Sequence, residues 1–232
     1  MAEYVSAHIN LFGAWDPKFT PQQVFARAEG TDQIRSLIEY VLDLQPEGLT
    51  EAAIGRFAEI SPQELYLPVV PDEQRLVQRL LRPLKSSKRL YCLGEFLGTI
   101  ALAGLVGETL AMLAFRMRKI QLDGKALDGN QEQQLFGKEF DKLDQSRRIE
   151  ILDCFGVINA QQKQQFSDLR GTRNKYLHLW EVDDSQIQGD ARKSFLHAMR
   201  IFKEISNINV DLSGAFTMNP ALLEYVRSDQ AG

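Results

Sequence analysis

The chain has 232 residues, of which 44% are hydrophobic, and a formal net charge of −4 at neutral pH. These values exclude a disordered chain and argue against a general polyanion binder, although a local basic surface remains compatible with nucleic acid. The two cysteines, Cys92 and Cys154, lack the spacing of a zinc site or a disulfide framework. We expect both to be small core residues of a protein in a reducing compartment.

The first 70 residues are predicted to form an N-terminal extension of short helices. Residues 1–19 favour a short strand or an extended arm, whereas capping patterns and apolar spacing predict helices that begin near residues 20, 32 and 50. Pro68-Val69-Val70-Pro71 predicts an extended connection that ends this extension. A helical bundle over residues 71–210 and a tail over residues 211–232 should follow. The N-terminal sequence shows no secretory signal, so we expect a cytoplasmic protein.

The segment from Arg75 to Arg89 is strongly basic. It contains six basic residues and no acidic one. A solvated helix face is the ordinary interpretation of such a charge run. A surface that faces phosphates is the alternative, and it gains support if the segment lies beside the helix of residues 166–180. The basic residues are Arg75, Arg79, Arg82, Lys85, Lys88 and Arg89.

The longest predicted helix, from residue 88 to about 119, is apolar on nearly all sides, which indicates central burial. Its apolar run contains Glu108 and falls short of the ~20 residues of a membrane span, so we expect a core helix and no membrane. Glycines are unfavourable inside helices and predict a closely packed neighbouring helix. The glycines within this predicted helix are Gly94, Gly98, Gly104 and Gly107.

The remaining elements complete an all-α fold. Residues 122–132 carry two Asp-Gly pairs and predict an exposed loop, and two helices fit residues 133–155. A further helix over residues 187–207 places an apolar stripe on one face, with His197 opposite this stripe and therefore expected at the surface. No βαβ alternation is evident, so we predict an antiparallel helical bundle with an N-terminal helical extension.

The helix of residues 160–181 contains the strongest candidate site. On a projection of about 100° per residue, its buried face holds Phe166, Leu169, Tyr176, Leu177 and Trp180. Arg173 falls near the middle of this face, where an unpaired charge would be costly. We therefore predict that Arg173 approaches Glu108 of the long apolar helix. Arg170, Asn174 and His178 follow at four-residue intervals and form a polar edge.

The sequence Arg173-Asn174-Lys175-Tyr176-Leu177-His178 resembles the motif of the HEPN superfamily, in which an arginine and a polar residue precede a histidine by a fixed spacing. The similarity covers roughly residues 86–207 and includes the long helix with an interior glutamate, then "ILDCFGVI" and "LRGTRNKYLH". HEPN domains are α-helical and occur in RNA-cleaving toxins, antiviral defence proteins and non-catalytic interaction modules. The resemblance therefore implies a HEPN-type bundle.

If the resemblance extends to activity, it implies RNA cleavage without a metal or another cofactor. His178 would act as general acid or base, and Arg173 would stabilise the charge that develops on the phosphoryl oxygens. Asn174 would orient His178 or the phosphate, and Arg170 and Lys175 would attract the substrate. Glu108 and Tyr176 would support the site.

The resemblance also bears on partners. Arg173 and His178 lie about 140° apart on one helix, and catalytic HEPN proteins commonly join two motifs across a dimer, so a homodimer through the motif helix is implied. RNA and a neutralising partner protein are the other expected partners. A non-catalytic interaction module is the competing interpretation, and it includes a regulator that resembles the mannitol-operon repressor.

Overall fold

The structure, a computed structural model, describes residues 48–62, 77–118, 120–122, 125–178, 183–207, 209–210 and 216–228. The predicted all-α class is confirmed. The chain divides into two compact units, Met1–Ala52 and Ala53–Gly232. The helices are α1 (Leu49–Glu59), α2 (Arg82–Leu93), α3 (Phe96–Arg118), α4 (Gly129–Phe136), α5 (Gln145–Cys154), α6 (Ala160–His178), α7 (Ile187–Ser206) and α8 (Pro220–Ser228).

Shorter elements connect these helices. A π-helical turn, Val77–Leu81, precedes α2, and 3-10 turns at Phe140–Lys142 and Asp184–Gln186 precede α5 and α7. Two antiparallel pairs of two-residue strands are β1 (Gln121–Leu122) with β2 (Lys125–Ala126), and β3 (Asn209–Val210) with β4 (Phe216–Thr217). The predicted N-terminal arm, the helices expected near residues 20 and 32, and the connection at residues 68–71 lie outside the described residues.

Helix α3 lies at the centre of the second unit, as its apolar sequence predicts. It packs against α2, α5, α6, α7 and α8. Ile100, Ala103, Val106, Leu110 and Ala111 are all nearly inaccessible to solvent. By length and composition alone α3 is also apolar enough to cross a membrane, but half of this apolar stretch is buried inside the protein.

The glycines of α3 allow side chains of neighbouring helices to pack closely against its backbone, as predicted. A Cβ atom added at Gly98 would lie 2.8 Å from Leu90, and one at Gly107 would lie 2.9 Å from Leu169. At Gly104 the added atom would lie 2.6 Å from Cδ of Arg173. Gly94 has a different role, because it adopts φ 91° and caps the C-terminus of α2. The single helix predicted from residue 88 to about 119 is therefore wrong, since this cap separates α2 from α3.

The loop predicted over residues 122–132 is shorter than expected. The side chain of Asp128 accepts a hydrogen bond from the Gln131 amide at 2.9 Å, and Gln131 Oε1 accepts one from the Asp128 amide at 3.1 Å. This reciprocal pair is a capping box that starts α4 at Gly129, four residues before the predicted helix. The Asp-Gly pair at this position therefore begins a helix rather than extending a loop.

Candidate functional site

Helix α6 carries the candidate motif and runs antiparallel to α3. A reciprocal cap starts it, in which the Gln162 amide donates to Asn159 Oδ1 at 2.9 Å and the Asn159 amide donates to Gln162 Oε1 at 3.0 Å. Gly104 meets Arg173 and Gly107 meets Leu169, so the contacts run in opposite order along the two helices. Of the predicted buried face, Phe166, Leu169 and Tyr176 are buried and Leu177 is only partly buried, while Trp180 lies outside the described residues.

The predicted approach of Arg173 to Glu108 is confirmed. Arg173 Nη1 donates a hydrogen bond to Glu108 Oε1 in an ion pair between α6 and α3. Each side chain keeps 31% of its accessible surface. The aliphatic part of Arg173 packs on the bare backbone of Gly104, which brings the guanidinium level with Glu108. Arg173 is therefore held in position and is also reachable from solvent.

The polar edge of α6 continues from this pair. Arg170 is exposed and Asn174 is half-buried. Within the described part of the chain, neither side chain makes a hydrogen bond or an ion pair, so both are available to a ligand. His178 is the last residue of α6, and its side chain lies outside the described part of the structure.

Lys175 and Tyr176 both contact α7. Lys175 Nζ donates to Asp190 Oδ2 at 2.9 Å and to the Tyr176 hydroxyl at 3.0 Å, and that hydroxyl donates to Asp190 Oδ2 at 2.8 Å. The hydrogen bonds to Tyr176 and Asp190 raise the pKa of Lys175 above its usual value. Burial opposes ionisation of Asp190, but the two donors together hold the pKa of its carboxyl below its usual range. Lys175, expected to attract substrate, thus neutralises a carboxylate of its own chain.

A second group of titratable residues, which the sequence analysis did not identify, lies between α6 and α7. Asp168 Oδ2 is 3.0 Å from Lys193 Nζ and 3.6 Å from His197 Nδ1. Asp168 Oδ1 accepts a hydrogen bond from Gln164 Nε2 at 2.8 Å. The His197 side chain keeps only 12% of its accessible surface.

The prediction that His197 lies at the surface is therefore wrong. Helix α7 packs against α2, α3 and α6, so its buried arc is wider than the single apolar stripe suggested. Burial lowers the pKa of His197, and the positive charges of Lys193 and Arg200 lower it further, against the opposing effect of Asp168. The imidazole is thus kept neutral close to physiological pH.

This depressed pKa predicts a loss of stability in mild acid. Because the unfolded chain binds a proton on His197 more readily than the folded one, stability should be complete above about pH 6.5 and should fall as the pH drops below it. We expect His197→Gln to lose less stability than the wild type between about pH 7.5 and about pH 5.5 in urea unfolding. Equal losses in the two proteins would contradict this assignment.

Neither cysteine behaves as a small core residue. Cys154 is exposed and Cys92 is only partly buried, which corrects the expectation for both. Within the described ranges, no group of three or more His, Cys, Asp or Glu side chains has an arrangement that could hold a metal ion.

A cavity that borders α6 lies at the opposite end of the helix from Arg173. It has a volume of about 330 Å³ and is lined in part by Gln162 and Glu204, which are hydrogen-bonded at 2.9 Å. Gln162 and Arg173 are eleven residues apart on one helix, which corresponds to roughly 16 Å. The cavity is therefore separate from the motif.

Comparison with protein-family models, with curated proteins and with solved structures finds no match for this chain.

Proposed function

We propose that this chain is a HEPN-like protein and a metal-independent endoribonuclease of a cytoplasmic toxin or defence system. The ion pair between Arg173 and Glu108 is the observation that carries the proposal. It holds a partly exposed guanidinium on the helix that ends at His178, which is the arrangement that the resemblance to HEPN domains calls for. The side chains of Arg170 and Asn174, which make no hydrogen bond or ion pair to any residue that the structure describes, lie on the same helix and add polar groups for a substrate.

The proposed reaction is an internal transesterification of RNA. A ribose 2′-oxygen attacks the adjacent phosphorus and loses its proton, while the bond from phosphorus to the 5′-oxygen breaks and that oxygen gains a proton. The imidazole of His178 is suited to carry one of these protons near neutral pH. Arg173 stabilises the negative charge on the phosphoryl oxygens, for which its planar array of donors is well suited.

We further propose a homodimer in which two α6 helices together form the site. Arg173 and His178 lie about 140° apart around α6, so one helix does not direct both toward one phosphate. Beside Glu108, α3 exposes Leu97 and Leu105, which keep 47% and 44% of their accessible surface. These leucines and Glu108 share one side of α3, and a second copy would cover them.

The test is incubation of the purified full chain with mixed RNA in EDTA. We expect the wild type to cleave RNA and His178→Ala to be inactive while it keeps the wild-type fold and oligomeric state, because no other described group replaces the imidazole. Cleavage that persists in His178→Ala would point to a contaminating nuclease. A folded wild type that never cleaves RNA would refute the enzyme.

One observation favours a second candidate, a non-catalytic HEPN-like interaction module. The stem of Arg173 packs against Gly104, so the arginine also helps to dock α6 on α3. In this candidate the motif maintains the fold, and the surface binds a partner protein or serves a regulator that resembles the mannitol-operon repressor. A folded, dimeric and inactive wild type would support this module. If the protein is instead a toxin, we expect it to bind a neutralising partner protein.

A further inference from the structure

A strip of basic side chains on α2 has no role in the proposed site. It consists of Arg79, Arg82, Lys85 and Arg89, hereafter the basic stripe, and all four residues are exposed. They are spaced three, three and four residues apart, so they lie on one side of the π-helical turn and of α2. The rise of about 1.5 Å per residue makes the stripe about 15 Å long.

The cations of the basic stripe have no acidic partner among the residues that the structure describes. In the described part of the chain no acidic side chain pairs with any of its four members, whereas Lys142 pairs with Glu139 and Arg147 with Glu150. The chain from residue 74 to residue 94 carries six positive charges and no acid, and the rest of the protein has a net charge of −10. This segment is thus a local concentration of positive charge in a protein whose net charge is negative.

Helix α2 presents the stripe from a fixed position. Its opposite face is buried through Leu84, Ser87 and Tyr91. The Ser87 hydroxyl donates to the Thr99 carbonyl oxygen of α3 at 3.0 Å, and Leu90 packs on Gly98. The backbone that carries the stripe is therefore already ordered before a ligand binds, and only the side chains have to be ordered.

The neighbouring Lys88 does not belong to the stripe. Its ammonium group lies over the ring of Phe57, 4.1 Å from the centroid. Burial lowers the pKa of Lys88. This lysine therefore serves the contact between α1 and α2, and only the outward cations remain for a ligand.

We propose that the basic stripe binds the phosphate backbone of a single-stranded nucleic acid. The four exposed cations lie within about 15 Å of one another and can contact one phosphate each, so the stripe makes at most about four phosphate contacts. The site is separate from the motif and does not require that the protein cleave RNA. Along α3, the contact with α2 at Gly98 lies six residues, or about 9 Å, from the contact of α6 at Gly104.

Other polyanionic partners fit the stripe less well. A helix that binds a membrane surface inserts an apolar face into the lipid, but the apolar face of α2 is already buried in the core. Protein interfaces have an apolar centre from which charged residues are depleted, whereas the stripe consists of cations. To bind a phosphate backbone, a protein surface needs only cations at regular intervals, which the stripe provides.

The experiment measures binding of a poly-thymidine oligonucleotide of about 12 nucleotides by fluorescence anisotropy, over a series of salt concentrations. DNA lacks the 2′-hydroxyl, so binding is measured whether or not the protein is a ribonuclease. Four phosphate contacts predict a slope of about −2.8 for the logarithm of the association constant against the logarithm of salt concentration. A 2′-O-methyl RNA of the same length, which lacks the free hydroxyl that the proposed cleavage needs, should give a similar slope, since the contacts are to phosphate.

The test variant is Arg79→Gln/Arg82→Gln/Arg89→Gln. Its control is Lys138→Gln/Lys142→Gln/Arg147→Gln, which removes the same charge from exposed positions outside the stripe. The test variant should bind at least about tenfold more weakly at ~0.1 M salt, with a slope shallower by about 2. The control should bind as the wild type does, and both variants should melt within a few degrees of it.

Three outcomes would overturn the proposal. The first is that the folded wild type does not bind the oligonucleotide. The second is that the test and control variants lose binding equally. The third is stripe-dependent binding to phosphatidylserine vesicles or to poly-glutamate that exceeds binding to the oligonucleotide. Such a preference would assign the stripe to a membrane or to an acidic protein.

Discussion

Replacing Gly104 with leucine should destabilise the protein by about 3 kcal/mol and lower its melting temperature by roughly 6–12 °C. Gly104 is buried where α6 crosses α3, and even a Cβ atom there would lie 2.6 Å from Arg173 Cδ and 3.3 Å from Arg173 Cβ. The second of these atoms is attached directly to the α6 backbone, so rotation of the side chain alone does not relieve the clash. The helices must separate, and the pair with Glu108 is lost with them.

A substitution on the facing helix supplies the control for Gly104. Gly171 lies within α6, is exposed, and would have no atom within 4 Å of an added Cβ. Gly171→Ala should therefore stabilise the protein by about 0.5–1 kcal/mol through helix propensity alone. Thermal unfolding of both variants separates the close approach at Gly104 from the general effect of a helical glycine. A Gly104→Leu protein as stable as the wild type would contradict the packing described here.

The second prediction concerns the guanidinium of Arg173 and depends on the proposed ribonuclease. Arg173→Met keeps the aliphatic stem on Gly104 but removes the charge, so we expect RNA cleavage to fall by about 10²- to 10³-fold. Glu108 loses its partner but keeps contact with water, so the stability loss should be about 1–2 kcal/mol, less than for a fully buried pair. Cleavage rates and urea unfolding measure the two effects on the same protein.

Two further variants distinguish catalysis from packing. Lys138→Met removes the same charge from an exposed position outside the motif helix and should retain both stability and most of the activity. Arg173→Met/Glu108→Gln removes the unpaired carboxylate and should recover stability without recovering cleavage. If the double variant cleaved RNA at the wild-type rate, the role of Arg173 would be structural and the enzyme mechanism would fail.

The contact between Arg173 and Glu108 could be predicted because both residues violate the pattern of their own helices. An arginine within an apolar face requires a carboxylate, and Glu108 is the one acid between Phe96 and Arg118. The glycines of α3 carried a similar signal, since each lowers helix propensity and so indicates a neighbour. Such exceptions are visible in the sequence because they are unfavourable unless the fold compensates for them.

The pair of Asp168 and His197 gave no such signal. Both residues are ordinary on a helix surface, and their burial arises because α7 contacts three helices at once. The number of neighbours around a helix is a property of the whole bundle, and periodicity along one segment does not encode it. The partner of Lys175 was missed for the same reason, because Asp190 lies on a different helix fifteen residues away.

The bonds of Lys175 and Tyr176 to Asp190 have a consequence for the dynamics of the motif. Helix ends usually open and close more often than helix centres, because their last carbonyl groups lack partners within the helix. Here the final turn of α6 is tied to the first turn of α7, so opening at the backbone of His178 also requires breaking contacts with another helix. The amide hydrogens of this turn should therefore exchange with solvent at the slow rate of the two joined helices.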